Sequence, residues 1–391
     1  MINFSKLKSF DWTLFILIFL LVIIGLVLQY SLSLSAQSAN FFLKQCIFVA
    51  ISFLFFWLIF FIDFRFIKAT AFLIYLFSIL LLGAVLIFGK ELRGSKGWLD
   101  FGVFNFQVAE FAKLATIIIL AKFWQVARSP VKPRHLFFSL ILILPLFFLI
   151  IKQPDLGSAL TIVLIWLGVI FLVDSNKKHL LSLVLIIVLA SVFSWFFLLQ
   201  DYQKDRILIY LNPAKDSLKS GYQVNQSIIA VGSGQFLGRG FGLGPQSQLK
   251  FLPDSGTDFV FAVLAEEFGF MGCLLLLGIY LLLLLRLVRI ARQVYGNFSL
   301  VLICGVVIYL FFQMVINVGM NIGLAPVIGL PLPLVSYGGS SLLVTLVSLG
   351  LVQSVLRHQP FAKQLTIGDD EGFLYLFKKN GNVMEEFLIN N

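Results

Sequence analysis

At 391 residues, with 60% hydrophobic side chains and 12% charged ones, the chain is too apolar to be a soluble globular domain. Its formal charge of +10 is spread over short segments between apolar runs, which excludes a nucleic-acid-binding stripe. Cys46, Cys273 and Cys304 lie inside apolar runs, and His135, His179 and His358 sit at run edges, so no disulfide framework, metal cluster or histidine site is expected.

Apolar runs near 20 residues recur along the chain, the length of a helix that crosses a bilayer. Backbone polar groups in lipid must be met within the structure, and runs of this length favour helices over a barrel. The pattern predicts an all-α integral membrane protein with about ten transmembrane helices. They fall at roughly 12–32, 42–62, 67–88, 106–125, 136–152, 156–173, 179–199, 259–285, 299–321 and 340–356. Residues 1–358 then form one polytopic domain, with a large extracytoplasmic loop at 200–258 between spans seven and eight. Residues 359–391 form a cytoplasmic tail. No cleavable leader is expected, because no small-residue cleavage site clearly follows the long first run.

Lysine and arginine set the orientation. With the N-terminus inside, the inner segments carry Lys6, Lys8, Arg65, Lys68, Arg128, Lys132, Arg134, Lys177, Lys178, Arg286, Arg289, Arg292 and Arg357. The outer segments near 33–41 and 322–339 carry neither residue. Both termini are therefore expected in the cytoplasm.

In span four, Glu110 and Lys113 stand three apart, hence on one helix face. Charges inside a span turn to the bundle interior or a wet cavity and find a partner. Two readings stay open for them, a self-neutralising structural pair or a pair bordering a substrate site. In KQPDLGSA at 152–159, Pro154 stops one helix and Asp155 is placed to cap the next or to help position a substrate. The glycines from Gly232 to Gly244 follow no strand and make no dinucleotide fingerprint; they predict a polar, non-helical loop that lines a cavity. Arg206, Arg239 and Lys250 in this loop are headgroup contacts or solvated charges.

Asp258 stands where the loop enters the eighth apolar run. A carboxylate at a membrane border is costly unless used, so it is the candidate functional acid, with capping of the next helix as the alternative. Glu266 and Glu267 are rotated from it by about 80° and about 180° on a helix. At least one of them is expected to brace another helix, and neither to be the main catalyst. Gln313, Asn317 and Asn321 make a polar stripe suited to interhelical hydrogen bonds. Pro326, Pro331 and Pro333 predict broken or re-entrant backbone across 321–341. In the tail, Asn380-Gly381 suggests a hairpin.

Several ordered motifs carry a resemblance. Gly94, Trp98, Gly102, Phe106, Gln107, Glu110 and Lys113 come first, then Gln153-Pro154-Asp155-Leu156-Gly157. GYQ-x-x-QS-x-IA-x-GSG follows from Gly221, QSQL-x-FLP from Gln246 and TDF-x-FAV-x-x-EE-x-GF from Thr257. The last is N-x-G-x-x-P-x-x-G-x-P-L-P-x-x-SYGGSS from Asn321. Together they resemble the SEDS family (shape, elongation, division and sporulation), multi-spanning polymerases of bacterial cell-wall glycan. The chain departs from that pattern where Gly97 replaces an arginine before Trp98 and Val108-Ala109 replaces Pro-Ser.

The resemblance implies a peptidoglycan glycosyltransferase of the bacterial cytoplasmic membrane that polymerises lipid II, an undecaprenyl-diphosphate-linked disaccharide-pentapeptide. Asp258 is then the catalytic base. Lys113, Glu110, Asp155, Trp98, Gln223 and Gln226 are carried over as substrate-binding, with Arg239 and Lys250 as further cations for the diphosphate. A class B penicillin-binding transpeptidase and membrane lipids are the implied partners. No cofactor is called for, and a divalent cation is left open. QSQL-x-FLP and the short inner N-terminus resemble the elongation-type branch more than the division-type branch. A lipid II flippase and a non-enzymatic scaffold for the transpeptidase are the competing readings.

Overall fold

The computed structural model describes residues 10–34, 39–174 and 220–358, except 93, 101, 103–104 and 127–130, together with 176, 179, 181–183, 185, 196 and 204. Most of the seventh predicted span, the first part of the long outer loop with Arg206, and the tail with its expected hairpin lie outside the described residues.

The chain opens with α1 (Trp12–Ser33), α2 (Ala39–Phe61) and α3 (Phe64–Phe88). A three-stranded antiparallel sheet follows, β1 (Lys90–Leu92), β2 (Ser95–Asp100) and β3 (Asn105–Gln107), in spatial order β1-β2-β3. Next come α4 (Val108–Trp124), α5 (Pro133–Ile151), α6 (Leu156–Val173), α7 (Ser220–Ser233) and the one-turn α8 (Pro245–Gln248). The chain continues with α9 (Val260–Gln293), α10 (Asn297–Asn321) and α11 (Gly339–His358). Eight of these helices are long and apolar enough to cross a membrane. The 17-residue α4 falls short of that length and is buried on nearly every side. The chain is thus a multi-pass membrane protein, and each predicted span among the described residues begins and ends within about eight residues of a helix.

Two expectations are corrected. The stretch from Gly221 is not a loop: α7 covers Ser220–Ser233, because its glycines fall at the helix end and Val224 and Ala230 give it a face to bury. The segment 89–107 is a small sheet, with Trp98 paired to Gln107 and Asp100 to Asn105. Lys90 and Asp100 close its exposed edge at 2.9 Å, and that hydrogen bond holds Asp100 below the usual carboxylate range.

α9 is not one uninterrupted helix. Gly269 has φ +63°, a left-handed conformation that glycine adopts readily, and it splits α9 into a short N-terminal piece and a long C-terminal one. The break strands backbone groups, and the loop after α7 meets them. The N–H groups of Arg239 and Gly240 donate to the carbonyls of Glu266 and Glu267 at 2.9 and 3.0 Å. The N–H groups of Phe270 and Met271 donate to Gln235 and Phe236 at 2.9 and 3.2 Å. The expected glycine-rich loop therefore exists as residues 234–244, laid directly on the kink. At the far end, Asp11 caps α1 through Leu14, pairs with Arg286 of α9 at 2.7 Å and takes Gln353 of α11 on its backbone. One residue thus ties three spans.

Contact between loop and kink is close enough to be tested. A Cβ on Gly234 would lie 1.8 Å from the carbonyl oxygen of Ala265, whereas a Cβ on Gly232 would meet nothing within 4 Å. Gly234→Ala is expected to destabilise the protein in detergent by about 1–3 kcal/mol, the usual cost of overpacking. Gly232→Ala is expected to be neutral or stabilising. Equal thermal midpoints for the two variants would refute this packing.

Candidate active site

The segment 254–259 carries the chain from loop to helix at the end of the bundle opposite Asp11, and its polar groups are met one by one. The N–H groups of Thr257, Asp258 and Phe259 all point at the Asp254 carbonyl, at 3.0 to 3.3 Å. The Gly256 carbonyl accepts from the Tyr337 N–H and from Gln29 Nε2, both at 2.8 Å. The Thr257 carbonyl accepts from Ser336 Oγ at 2.5 Å. The Asp258 carbonyl accepts from Asn317 and Asn321 Nδ2, each at 3.0 Å. Three consecutive carbonyls are thus fixed by α1, by the loop before α11, and by α10.

That arrangement settles the capping question by position. Phe259, not Asp258, is the N-cap of α9 and makes no side-chain cap. Asn321 of α10 does the work from outside, its Oδ1 accepting from the Ala262 N–H at 3.0 Å. The half-buried Asp258 side chain is spared that duty. Its Oδ2 lies over the broken loop, 3.5 Å from where a Cβ on Gly329 would sit.

The same loop touches α6. A Cβ on Gly157 would lie 2.6 Å from the Ile328 carbonyl, so residues 328–330 pass between Asp258 and the α6 N-terminus. There Asp155 does two jobs at once. Its Oδ1 caps α6 through the Ser158 N–H at 3.0 Å, and its Oδ2 accepts from Gln107 Nε2 at 2.8 Å. Gln107 pairs in the sheet with Trp98, which places both side chains on one face. Lys96 is exposed, and Gly97 backs onto Gln153.

Glu110 and Lys113 are joined at 2.6 Å and are 1% and 0% exposed. The Lys113 ammonium lies 5.7 Å from the Tyr309 ring, two turns of α10 below Asn317 and hence about 12 Å deeper than the Asp258 carbonyl. At that separation and an effective dielectric of about 20, a unit charge is worth about 1 kcal/mol, and Glu110 offsets most of it. Lys113 is therefore a floor of the site in this conformation, out of reach of a group held at Asp258. Arg239 and Lys250 are exposed on the loop side. Gln223 and Gln226 lie half-buried on α7, which docks on α10 through Ser227 Oγ and the Asn321 carbonyl at 2.8 Å.

Glu266 and Glu267 are both braces. Glu266 accepts from the Gln246 N–H at 2.8 Å and from Ser247 Oγ at 2.8 Å, folding α8 onto α9. Glu267 accepts from Ser31 Oγ of α1 and from Gln248 Nε2. Sequence reasoning missed Gln29 and the Ser336 hydroxyl, although Ser336 lies in the SYGGSS motif. Among the described residues no three His, Cys, Asp or Glu side chains gather as a metal site.

The profile of the FtsW, RodA and SpoVE family, described as cell cycle protein, matches residues 11–360. The chain belongs to this family. Relatives within it include the peptidoglycan glycosyltransferase MrdB of Escherichia coli K12, 42% identical over 73% of this chain and 77% of the relative. The Helicobacter pylori J99 MrdB is 37% identical over 88% and 91%. Among solved structures, a chain of a peptidoglycan synthase complex that coordinates polymerization and crosslinking superposes with a TM-score of 0.76 at 34% identity, over 90% of this chain and 99% of that one. The rod shape determining protein RodA of Thermus thermophilus gives 0.67 at 32%, over 90% and 98%.

Asn321 is the residue on which the site's geometry most depends. Asn321→Leu keeps volume but strands the buried Ala262 N–H and removes a donor from the Asp258 carbonyl. It should lower unfolding stability in detergent by about 2 kcal/mol or more. An unchanged melting temperature would show that the segment is held without it.

Proposed function

We infer that the chain is a peptidoglycan glycosyltransferase, a RodA-like enzyme of cell-wall elongation that polymerises lipid II at the outer face of the bacterial cytoplasmic membrane. The observation that carries this reading is Asp258. Its backbone is fixed from three sides, it is relieved of helix capping, and it sits at the outer border of a bundle whose relatives are named peptidoglycan glycosyltransferases.

In this reading the acceptor sugar's 4-hydroxyl lies against the Asp258 carboxylate. The carboxylate takes the proton as the oxygen attacks the anomeric carbon of the donor. A carbon–oxygen bond forms, the bond to the α-linked diphosphate breaks, and the new linkage is β by inversion. General-base help of this kind is worth about 10²–10⁴ in rate. Arg239 and Lys250, exposed on the loop side, are the cations proposed to offset the charge that grows on the departing diphosphate. The Lys113–Glu110 pair holds the floor below. Asp155, Gln107 and Trp98 present a carboxylate, an amide and an indole to the sugars, and Gln223 and Gln226 flank them from α7. Exposed Phe236, Leu237, Leu243 and Leu249 offer apolar surface for the polyprenyl chain. A class B penicillin-binding transpeptidase is the proposed partner, in keeping with the synthase complex that the fold matches. Both termini are placed in the cytoplasm by the charge asymmetry.

Two measurements test this. Asp258→Asn preserves the held carbonyl and side-chain size but cannot accept a proton near neutral pH. Polymerisation of lipid II by the purified protein should fall about a hundredfold or more with stability near wild type. Normal polymerisation would remove Asp258 from the mechanism, and loss of lipid II translocation in liposomes together with loss of polymerisation would favour a flippase.

For orientation, Lys96→Cys on the exposed sheet, in a protein without its native cysteines, should react with an impermeant thiol reagent in intact spheroplasts. Reaction only after lysis would invert the map.

A further inference from the structure

Tyr309, Gln313, Asn317 and Asn321 stand one turn apart on a single face of α10. Asn317 and Asn321 hold the Asp258 carbonyl, and the Tyr309 ring lies against the Lys113 ammonium. Gln313 stands between them, about 6 Å along the axis from each neighbour. It is 1% exposed, yet neither its Nε2 nor its Oε1 has a hydrogen-bond partner among the described residues.

What it faces follows from the helix register. Ile117 of α4 packs where a Cβ on Gly305 would sit, and Lys113 meets Tyr309, so α4 and α10 run antiparallel and the next turn brings Gln313 opposite Glu110. Glu110 gives Oε1 to Lys113, and its Oε2 is likewise without a partner among the described residues. Buried polar atoms are met by protein or by ordered water, and water takes two to four such partners. An amide and a carboxylate oxygen facing one another across two helices supply a donor and acceptors for it.

We propose that Gln313 is a positioning residue, whose amide and Glu110 Oε2 together bind ordered water between α4 and α10 and so fix the Glu110–Lys113 pair in register with the Asp258 segment. Gln313 Nε2 donates to the water, and the water donates to Glu110 Oε2. The proposal rests on the polymerase reading of the site, and its test separates the two.

The test uses the full chain in lipid nanodiscs, comparing wild type with Gln313→Leu, Gln313→Asn, Glu110→Gln and Lys113→Ala. With Gln313→Leu, kcat for lipid II polymerisation should fall about tenfold at unchanged KM, the loss of one hydrogen bond to a charged group. Gln313→Asn keeps an amide and should recover most of kcat. The infrared carboxylate band that disappears in Glu110→Gln should shift in Gln313→Leu. Wild-type kcat, an unmoved band and a raised melting temperature in Gln313→Leu would overturn the proposal, marking the amide as merely tolerated. If the leucine variant does not fold, wild type in ¹⁸O-labelled water decides: a bound-water band that is lost in Glu110→Gln supports the bridge, and its absence rejects it. Normal polymerisation by Lys113→Ala would instead sink the reading of the floor, while the infrared band still reports on the water.

Discussion

The constraint on which this structure depends is the satisfaction of backbone that is neither helix nor sheet at the edge of a membrane. Unpaired carbonyls there are costly, and the run Gly256-Thr257-Asp258 presents three in succession. Gln29, the Tyr337 N–H, Ser336, Asn317 and Asn321 take them up. Each comes from a part of the chain far away in sequence. The segment can therefore hold its shape only when α1, α10 and the loop before α11 are all in place. Site geometry and bundle assembly are one event.

The same logic governs the break in α9. A kink at Gly269 would leave two carbonyls and two N–H groups without helical partners, and residues 235–240 meet all four. Loop and kink are thus complementary halves of one local structure. The acids beside the kink reinforce it, Glu266 gathering α8 and Glu267 reaching Ser31 of α1. Two carboxylates of this segment are thus consumed by folding, while Asp258 stands one position before the N-cap of α9.

Much of this was legible from the chain alone, for physical reasons. Span positions follow from run length, and a brace role for at least one of Glu266 and Glu267 follows from their rotation relative to Asp258. The Asn317–Asn321 stripe was readable because four-residue spacing is a helix face. Asp155 was readable as a cap because Pro154 ends the helix before it. Other features were not, because their cause is tertiary. Helix α7 hides in a stretch whose glycines look like loop, and its stability comes from docking on α10 through Ser227. The choice of Phe259 over Asp258 as N-cap is imposed by Asn321, which is 63 residues from Asp258 in sequence. The depth of Lys113 below Asp258 depends on how α4 and α10 are set against each other.

Helix α4 carries a last consequence. Its 17 residues span about 25 Å, less than the roughly 30 Å of a hydrocarbon core, yet it is buried almost throughout. Lipid chains meet its neighbours instead, and α3 alone is 25 residues long. Glu110, in the first turn of α4, is therefore walled off from lipid by the neighbouring helices. Bilayer thickness is felt by that wall. A membrane a few ångströms thicker or thinner would change how the wall tilts and how lipids pack on it, without a lipid contact through which to raise or lower the buried Glu110–Lys113 pair.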